Sequence, residues 1–259
     1  TTPDHVKQLM AGPDYTTPLE LDVNLDDYVP GTVMPNWLGF SVFSINMALN
    51  TAQLPGAKPK NWADYWDVEN FPGRRGLYRS PWGTLEMALL ADGVAPADLY
   101  PLDVDRAFAK LDEIREHVAV WWTAGAQNTQ ILQSGEVDMT DTWSARAYAA
   151  LEAGAPVEMV WDGLYSVDGW SIHKGTPRME AAQEFVRFCA RPEQQAIYSQ
   201  NVANGPSAKK AYDFIPAERA AVLPTAPENV KGLYLMDSDY WGANYDPLAE
   251  RFNEWLLMG

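Results

Sequence analysis

The chain has 259 residues, 47% of them hydrophobic, which is enough for one large folded domain or two modest ones. Its 35 acidic and 19 basic side chains give a net charge of −16, which argues against a surface that binds nucleic-acid phosphates. The single cysteine, Cys189, excludes an internal disulfide and a thiolate metal cluster. The three histidines show no metal-ligand spacing, so we expect neither a metal nor a cofactor: His5, His117 and His173. No apolar run reaches the roughly 18 residues of a membrane span, and no signal peptide is visible, as expected of a mature secreted chain.

The first fifty residues predict a helix, an irregular stretch and a buried strand. The segment PDHVKQLMAG (3–12) is typical of a short helix that ends at glycine. Residues 13–36 are rich in Pro, Asp and Thr and give little regular signal. Residues 36–50 form an aromatic and β-branched run, which predicts a buried strand.

From residue 61 onward, predicted strands and helices alternate. Asn61 is a candidate N-cap for a short helix. Strands are predicted at 75–80, 118–123, 137–143 and 156–163. Helices are predicted at 83–93, 104–118, 126–137, 144–154, 176–203 with a break at Arg191–Pro192, 215–223 and 247–259. This alternation predicts an α/β protein with a mainly parallel sheet.

One acid interrupts an apolar pattern in GLYSVDGWSIHKG (163–175). Leu164, Tyr165 and Val167 predict a strand, and Asp168 follows them directly. An unpaired charge in such a place costs free energy, so the carboxylate needs a cation or several hydrogen-bond donors. A ligand ammonium, backbone amides or an arginine could each supply them.

Several segments together resemble the periplasmic solute-binding proteins of the spermidine/putrescine type. NWADYWDVENFPGRRGL (61–77) is similar to the signature of that family, and the resemblance covers residues 36–259. The further segments that carry it are GTLEMALLADG, LYPLDVDRAFAKLDEI, GEVDMTDTWSARAYAA, WDGLYSVDGWSIHKGTP and AAQEFVRFCARPEQQAIYSQNVANGPS.

The resemblance implies a periplasmic binding protein of type II, with two α/β lobes joined by hinge strands that close on one ligand. The implied first lobe is 1–50 plus 167–212, the second is 51–166 plus 213–259, and the hinge crossings lie near 48–54 and 164–168. Such proteins are periplasmic monomers that deliver a small molecule to the membrane permease of an ABC transporter. The family begins with a β-α-β unit, so part of the first lobe is expected to be absent from this sequence.

The resemblance also implies site residues. Asp168 occupies the place of a carboxylate that binds a ligand ammonium, and Trp143 that of an aromatic against the ligand's alkyl chain, with Asp141 close by. Each has a structural alternative, which is capping or arginine pairing for the acids and core packing for the tryptophan. Arg146 is unusual there, because a cation would repel a polyamine and attract a carboxylate, unless it faces solvent or pairs with an aspartate.

A second group departs from the polyamine pattern. Ser80 and Gly83 stand where polyamine binders carry acids, with Trp82 between them, and Ser166 stands where they place a tryptophan. Ser80, Trp82 and Thr84 could line the cleft or bind an anion at the helix N-terminus, and a plain N-cap and turn explains these residues equally well. Trp241 and Asn204 match further positions that contact the ligand in the family, and the last candidates, for which core packing is the favoured alternative, are Tyr165 and Trp37.

These observations predict a binding protein rather than an enzyme. A polyamine or related organic cation is the main expectation, held by Asp168 and an aromatic box of Trp82, Trp143 and Trp241. The alternative is a small carboxylate or zwitterion that uses Arg146. A glycoside hydrolase is more remote, because no pair of acids stands out for acid–base work and the common catalytic motifs are absent from the sequence.

Overall fold

The structure is a computed structural model that describes residues 15–54 and 56–258. The helix predicted at 3–12 lies outside these residues. The strands are β1 (Thr16–Thr17), β2 (Val33–Met34), β3 (Trp37–Asn50), β4 (Arg75–Tyr78), β5 (Val118–Trp122), β6 (Met139–Trp143), β7 (Val157–Trp170), β8 (Ile172–His173), β9 (Gly205–Pro206) and β10 (Leu233–Leu235). The α-helices are α1 (Trp62–Trp66), α2 (Thr84–Ala91), α3 (Val104–Ile114), α4 (Gly125–Ser134), α5 (Ser144–Glu152), α6 (Met179–Ala190), α7 (Pro192–Asn201), α8 (Ala217–Ala220) and α9 (Ser238–Leu257). None of the helices in the described ranges is long and apolar enough to cross a membrane.

The contacts divide the described residues into two compact units. Unit 1 comprises 15–43, Tyr165–Lys231 and Trp241–Ala243, and unit 2 comprises Ser44–Leu164, Gly232–Tyr240 and 244–258. β3 passes from unit 1 to unit 2 after Phe43, and β7 returns after Leu164. This division assigns 44–50 to unit 2 and 213–231 to unit 1, whereas the predicted lobes place them the other way round. The contacts define the units but do not test the predicted lobes or their hinge motion, which stay a prediction.

The sheet of unit 2 is mixed rather than mainly parallel. Its strand order is β10-β7-β3-β6-β4-β5. β4 is parallel to both β5 and β6, as expected of strands joined through helices. β3 is antiparallel to β6, with Ile45 opposite Trp143. No single helical crossover links β3 to β6, so nothing constrains that pair to run parallel.

Unit 1 uses the first part of β3 and the last part of β7. β2 and β9 each pair antiparallel with β3, and β1 pairs antiparallel with β8. In β3 every residue except Phe40 is buried, which agrees with the continuous apolar pattern of its sequence. Two short strands and a 3-10 helix thus occur within 13–36, a stretch whose sequence pattern predicts little regular structure.

Two predicted segments differ from the structure. The segment expected to end at 163 is part of one strand, β7, that runs to Trp170. The C-terminal helix begins at Ser238, nine residues before the predicted start, because the Asp237 side chain accepts hydrogen bonds from the Asp239 and Tyr240 amides. Pro247 lies inside this helix rather than in its first turn.

The second arginine of the FPGRR segment, Arg75, is buried and has a structural role. Arg75 is 1% exposed, and its guanidinium donates to three backbone carbonyls, one in α1 and two in the loop before β4. The acceptors are Tyr65 at 3.0 Å, Gly73 at 2.7 Å and Phe71 at 2.6 Å. Burial lowers the pKa of Arg75. The guanidinium therefore fixes the entry into β4, and through it the position of Tyr78 at the end of that strand.

Candidate functional site

Three aromatic side chains end the three parallel strands of unit 2. Tyr78 is the last residue of β4, Trp122 of β5 and Trp143 of β6. The Tyr78 and Trp122 rings stack with centroids 4.4 Å apart, and Trp143 meets them edge-on at 5.4 and 5.2 Å. The carboxyl ends of parallel strands are where α/β sheets bind ligands. We call these three residues the aromatic triad.

The triad has a buried back and an accessible front. Trp122 is fully buried, whereas Tyr78 and Trp143 are half-buried. Of the three, only Trp143 was predicted to contact a ligand. Tyr78 and Trp122 each stand at the end of a predicted strand. That position indicates a ligand site only once β4, β5 and β6 are known to be neighbours in the sheet.

Asp141 lies behind the triad and not on its surface. It is 1% exposed, and its Oδ1 accepts a 2.7 Å hydrogen bond from the Trp122 indole Nε1. Its Oδ2 is buried without a hydrogen-bond partner among the described residues. Burial raises the pKa of Asp141 to about 8, although the Trp122 hydrogen bond acts in the opposite direction. The carboxyl is therefore mostly neutral at pH 7.

Asn128 connects this acid to the helix that follows β5. Its side-chain amide donates to the backbone carbonyl of Asp141 at 3.0 Å and accepts from the Thr142 hydroxyl at 2.5 Å. All three residues are buried. The backbone of β6 is thereby fixed to α4 just before Trp143.

Arg146 lies at the accessible side of the triad. It is exposed and is the third residue of α5. A Cβ added to Gly125, the first residue of α4, would overlap Arg146 Nε and lie 3.0 Å from Trp143 Cζ3. The arginine and the indole therefore converge on Gly125. Within 15–54 and 56–258, no carboxylate lies within ion-pair distance of the Arg146 guanidinium.

The turn between β4 and α2 contains the other candidates of unit 2. Ser80 Oγ accepts from the Trp82 amide at 3.2 Å, and the Thr84 hydroxyl donates to the Tyr78 carbonyl at 3.1 Å. Gly83 has φ +82°, a conformation that favours glycine, and its amide donates to Glu86 Oε2. Trp82 is 9% exposed. These interactions support the turn, and ligand contact by Ser80 or Trp82 stays a prediction.

In unit 1 the candidates on β7 fall on opposite faces of the strand. Tyr165 packs with Trp37, Val42 and Val167 in an apolar cluster. Side chains alternate between the two faces of a strand, so Tyr165 and Val167 lie on one face of β7 and Asp168 and Trp170 lie on the other. Asp168 is half-buried. Trp170 stacks on Phe40 with centroids 5.4 Å apart.

The remaining candidates of unit 1 are buried. The Asn204 amide donates to Ser41 Oγ at 3.0 Å, and Trp241 is fully buried. Trp37 is 3% exposed, and its ring lies against the backbone of Gly39 and Gly169. Core packing accounts for these positions as they stand. In the described part of the chain, no group of His, Cys, Asp and Glu converges as a metal site.

Comparison with known proteins identifies the family. A model of the family described as bacterial extracellular solute-binding protein matches residues 2–230. The chain belongs to this family. Its members' fold is that of type II periplasmic binding proteins, and this solute-binding protein shares it. The chain is 37% identical to the crystal structure of an ABC transporter substrate-binding protein from Bradyrhizobium japonicum USDA 110, with a TM-score of 0.83 over 92% of this chain and 77% of that one.

Two curated relatives bear on the ligand of this solute-binding protein. A gamma-aminobutyric acid-binding protein of Pseudomonas aeruginosa is 40% identical over 234 residues, which are 88% of this chain and 66% of the relative. A spermidine/putrescine-binding periplasmic protein of Escherichia coli is 26% identical over 136 residues, 51% of this chain and 38% of the relative. The chain thus spans less than two thirds of either relative.

The comparisons confirm the predicted family but not the predicted polyamine type. The match to the gamma-aminobutyric acid-binding protein is longer and closer than the match to the polyamine binder. The findings therefore support the alternative of a carboxylate or zwitterion better than the main expectation. The names of these relatives describe binding and transport, not catalysis.

Proposed function

We propose that this chain binds a small zwitterionic amino acid, such as gamma-aminobutyric acid, for import by an ABC transporter. Arg146 carries the proposal, because its guanidinium lies beside Trp143 at the start of α5 without an acidic partner in the described residues. In this proposal Arg146 binds the ligand carboxylate.

The local electrostatics of unit 2 favour an anion at this place. α4 and α5 begin at Gly125 and Ser144, and neither N-terminus has a side-chain cap. Helix N-termini carry partial positive charge and free amide donors. A further cation in the first turn of α5 is unfavourable unless an anion meets it, and a guanidinium matches a carboxylate with two parallel hydrogen bonds.

The half-buried rings of the triad suit the apolar part of such a ligand. Tyr78 and Trp143 offer aromatic surface next to Arg146, so methylene groups attached to a bound carboxylate would leave water there. A diamine lacks the carboxylate and would place a cation near Arg146. The same arrangement therefore supports an amino acid over a polyamine.

Asp168 of unit 1 remains the predicted partner of the ligand ammonium. Its support is its place, half-buried in β7 just before Gly169, on the strand face that it shares with Trp170. The relative named for gamma-aminobutyric acid supports the same ligand class. A periplasmic location, a monomeric state and delivery to an ABC permease are part of the proposal, with hinge closure as the mode of capture.

Titration calorimetry with gamma-aminobutyric acid, putrescine and butyrate tests the proposal. The first two share an ammonium and a four-carbon chain, so their comparison measures the effect of replacing the carboxylate by a second ammonium, and butyrate measures the loss of the ammonium. We expect gamma-aminobutyric acid to bind at least 100-fold more tightly than putrescine. Arg146→Gln should weaken its binding by about 10- to 100-fold, the value of a charge-assisted hydrogen-bond pair.

Arg178→Gln is the matched control, because Arg178 is also an exposed arginine at the start of a helix. It should leave the affinity unchanged. Tighter binding of putrescine than of gamma-aminobutyric acid would overturn the proposal.

A further inference from the structure

We propose that Asp141 is a positioning residue that holds the aromatic triad in its binding arrangement through Trp122. The inference rests on the proposed function, because it assigns to the triad the apolar part of the ligand site. Asp141 acts on the ligand only through the rings in front of it.

The burial of Asp141 excludes direct contact with the ligand in this arrangement. β6 lies between β3 and β4, and Asp141 is opposite Met47 on β3. Its side chain is covered, and Oδ1 is occupied by the Trp122 indole. No metal cluster in the described residues uses it. The remaining role is the one that its hydrogen bond to the Trp122 indole defines.

That hydrogen bond fixes a ring that touches both accessible members of the triad. Trp122 stacks on Tyr78 with an interplanar angle of 28° and meets Trp143 at 83°. The indole Nε1 is the polar end of this buried side chain, and Asp141 is its acceptor. Without the acceptor, a buried N–H would be unsatisfied and the indole would shift to find another. Tyr78 and Trp143 would then lose the surface against which they pack.

The acid is costly where it stands, which argues for such a role. Asp141 Oδ2 has no partner among the described residues, and a buried carboxyl is less favourable than an apolar side chain in the same space. Residues that cost stability at a ligand site commonly contribute to function. Among the hydrogen bonds that act on the Asp141 carboxyl, the one from the Trp122 indole has the largest effect, ahead of those from the Tyr78 backbone and the Thr140 side chain.

The test combines near-ultraviolet circular dichroism of the ligand-free protein with calorimetry of gamma-aminobutyric acid. Asp141→Asn keeps an acceptor oxygen for Trp122, whereas Asp141→Leu removes it. We expect Asp141→Asn to preserve the aromatic signal and to keep the affinity within about threefold. Asp141→Leu should change the aromatic signal, keep the far-ultraviolet spectrum and weaken binding at least tenfold.

Two tryptophan variants provide a matched comparison. Trp122→Phe deletes the indole that Asp141 holds, and Trp66→Phe deletes another buried indole of unit 2, which donates to the Lys110 carbonyl at 3.0 Å. The first should weaken binding at least tenfold and the second should not. Combining Asp141→Leu with Trp122→Phe should add little to either change alone, because both break the same link.

The outcomes separate this inference from the proposed function. If wild-type protein binds no amino acid, the proposed function fails, and the aromatic signals of Asp141→Asn and Asp141→Leu still decide the positioning role. If wild-type protein binds and Asp141→Leu matches it in affinity and aromatic signal, the positioning role is wrong. Should Asp141→Leu not fold, wild-type affinity in Trp122→Phe would equally overturn it.

Discussion

The indole N–H of Trp122 donates to Asp141 Oδ1 over 2.7 Å at a place where neither side chain reaches solvent. The two residues belong to β5 and β6, so the bond connects strands on either side of β4. The acid of this pair, Asp141, lies inside unit 2, and burial raises its pKa to about 8. The proton on that acid has a measurable consequence for stability.

Asp141→Asn should flatten the pH dependence of stability between about pH 4 and pH 8. In this window the unfolded chain has released the Asp141 proton, while the folded protein still binds it. The folded state binds more protons, so its stability falls as pH rises, and the full loss is reached above the folded pKa. The loss is on the order of several kcal/mol. Asparagine has no proton to lose, so the variant should gain stability over wild type as pH rises.

Denaturant unfolding at pH 5 and pH 8 measures this difference, with Asp138→Asn as a control that should change stability equally at the two pH values. Burial alone would raise the pKa of Asp138, but hydrogen bonds and charge from Arg74 outweigh it and lower the pKa. Its stabilising contribution is present above the unfolded pKa and is lost as pH falls. Equal pH profiles for wild type and Asp141→Asn would contradict an ionisable Asp141 that stays neutral in the folded protein.

Gly125→Ala should weaken ligand binding while leaving the fold almost unchanged. The added Cβ would overlap the Arg146 side chain and press on Trp143, and the flexible arginine is the group that can move. Alanine is favoured over glycine in a helix, so the helix itself tolerates the change. We expect about a tenfold loss of affinity for gamma-aminobutyric acid by calorimetry. Gly56→Ala is the control, because nothing lies within 4 Å of its added Cβ.

Arg75→Met should be strongly destabilising. The substitution retains an unbranched apolar side chain but removes the donor of three carbonyls, of which that of Tyr65 is buried and those of Gly73 and Phe71 are partly buried. A buried unsatisfied carbonyl costs about 1–3 kcal/mol and a partly buried one less, so we expect a loss of about 2–3 kcal/mol in denaturant unfolding. Arg187→Met removes an exposed ion pair with Glu20 and should change stability by less than about 1 kcal/mol. A loss as small as that of Arg187→Met would show that the Arg75 carbonyl contacts do not stabilise the native protein.

Local sequence patterns predicted most elements of the fold because their causes are local. Asn61 caps α1 by accepting from the Asp64 amide, as the sequence indicates. The break at Arg191–Pro192 separates α6 from α7, since proline has no amide to continue the helix. The apolar run at 36–50 is β3. The sheet directions could not be predicted this way, because the partner of β3 is a strand about a hundred residues away.

The candidate site was only partly predictable for the same reason. Trp143 and Arg146 were predicted as site residues from the family resemblance, and the structure places them at the end of β6 and in the first turn of α5. The role of Asp141 depends on Trp122, nineteen residues earlier. Tyr78 joins them only because β4 lies between β5 and β6. No local pattern reports such a strand order.

Asp168→Asn should abolish the preference for an amino acid over its deaminated analogue. If Asp168 binds the ligand ammonium, the variant loses the charge pair but keeps the size and the hydrogen-bonding oxygen. The affinity for gamma-aminobutyric acid should then fall about 10- to 100-fold, whereas the affinity for butyrate should stay level. Asp162→Asn provides the control, since Asp162 is also a half-buried acid of β7, with a pKa raised by burial. It should leave both affinities unchanged. An equal loss for both ligands in Asp168→Asn would mean that the residue supports the strand and does not recognise the ammonium.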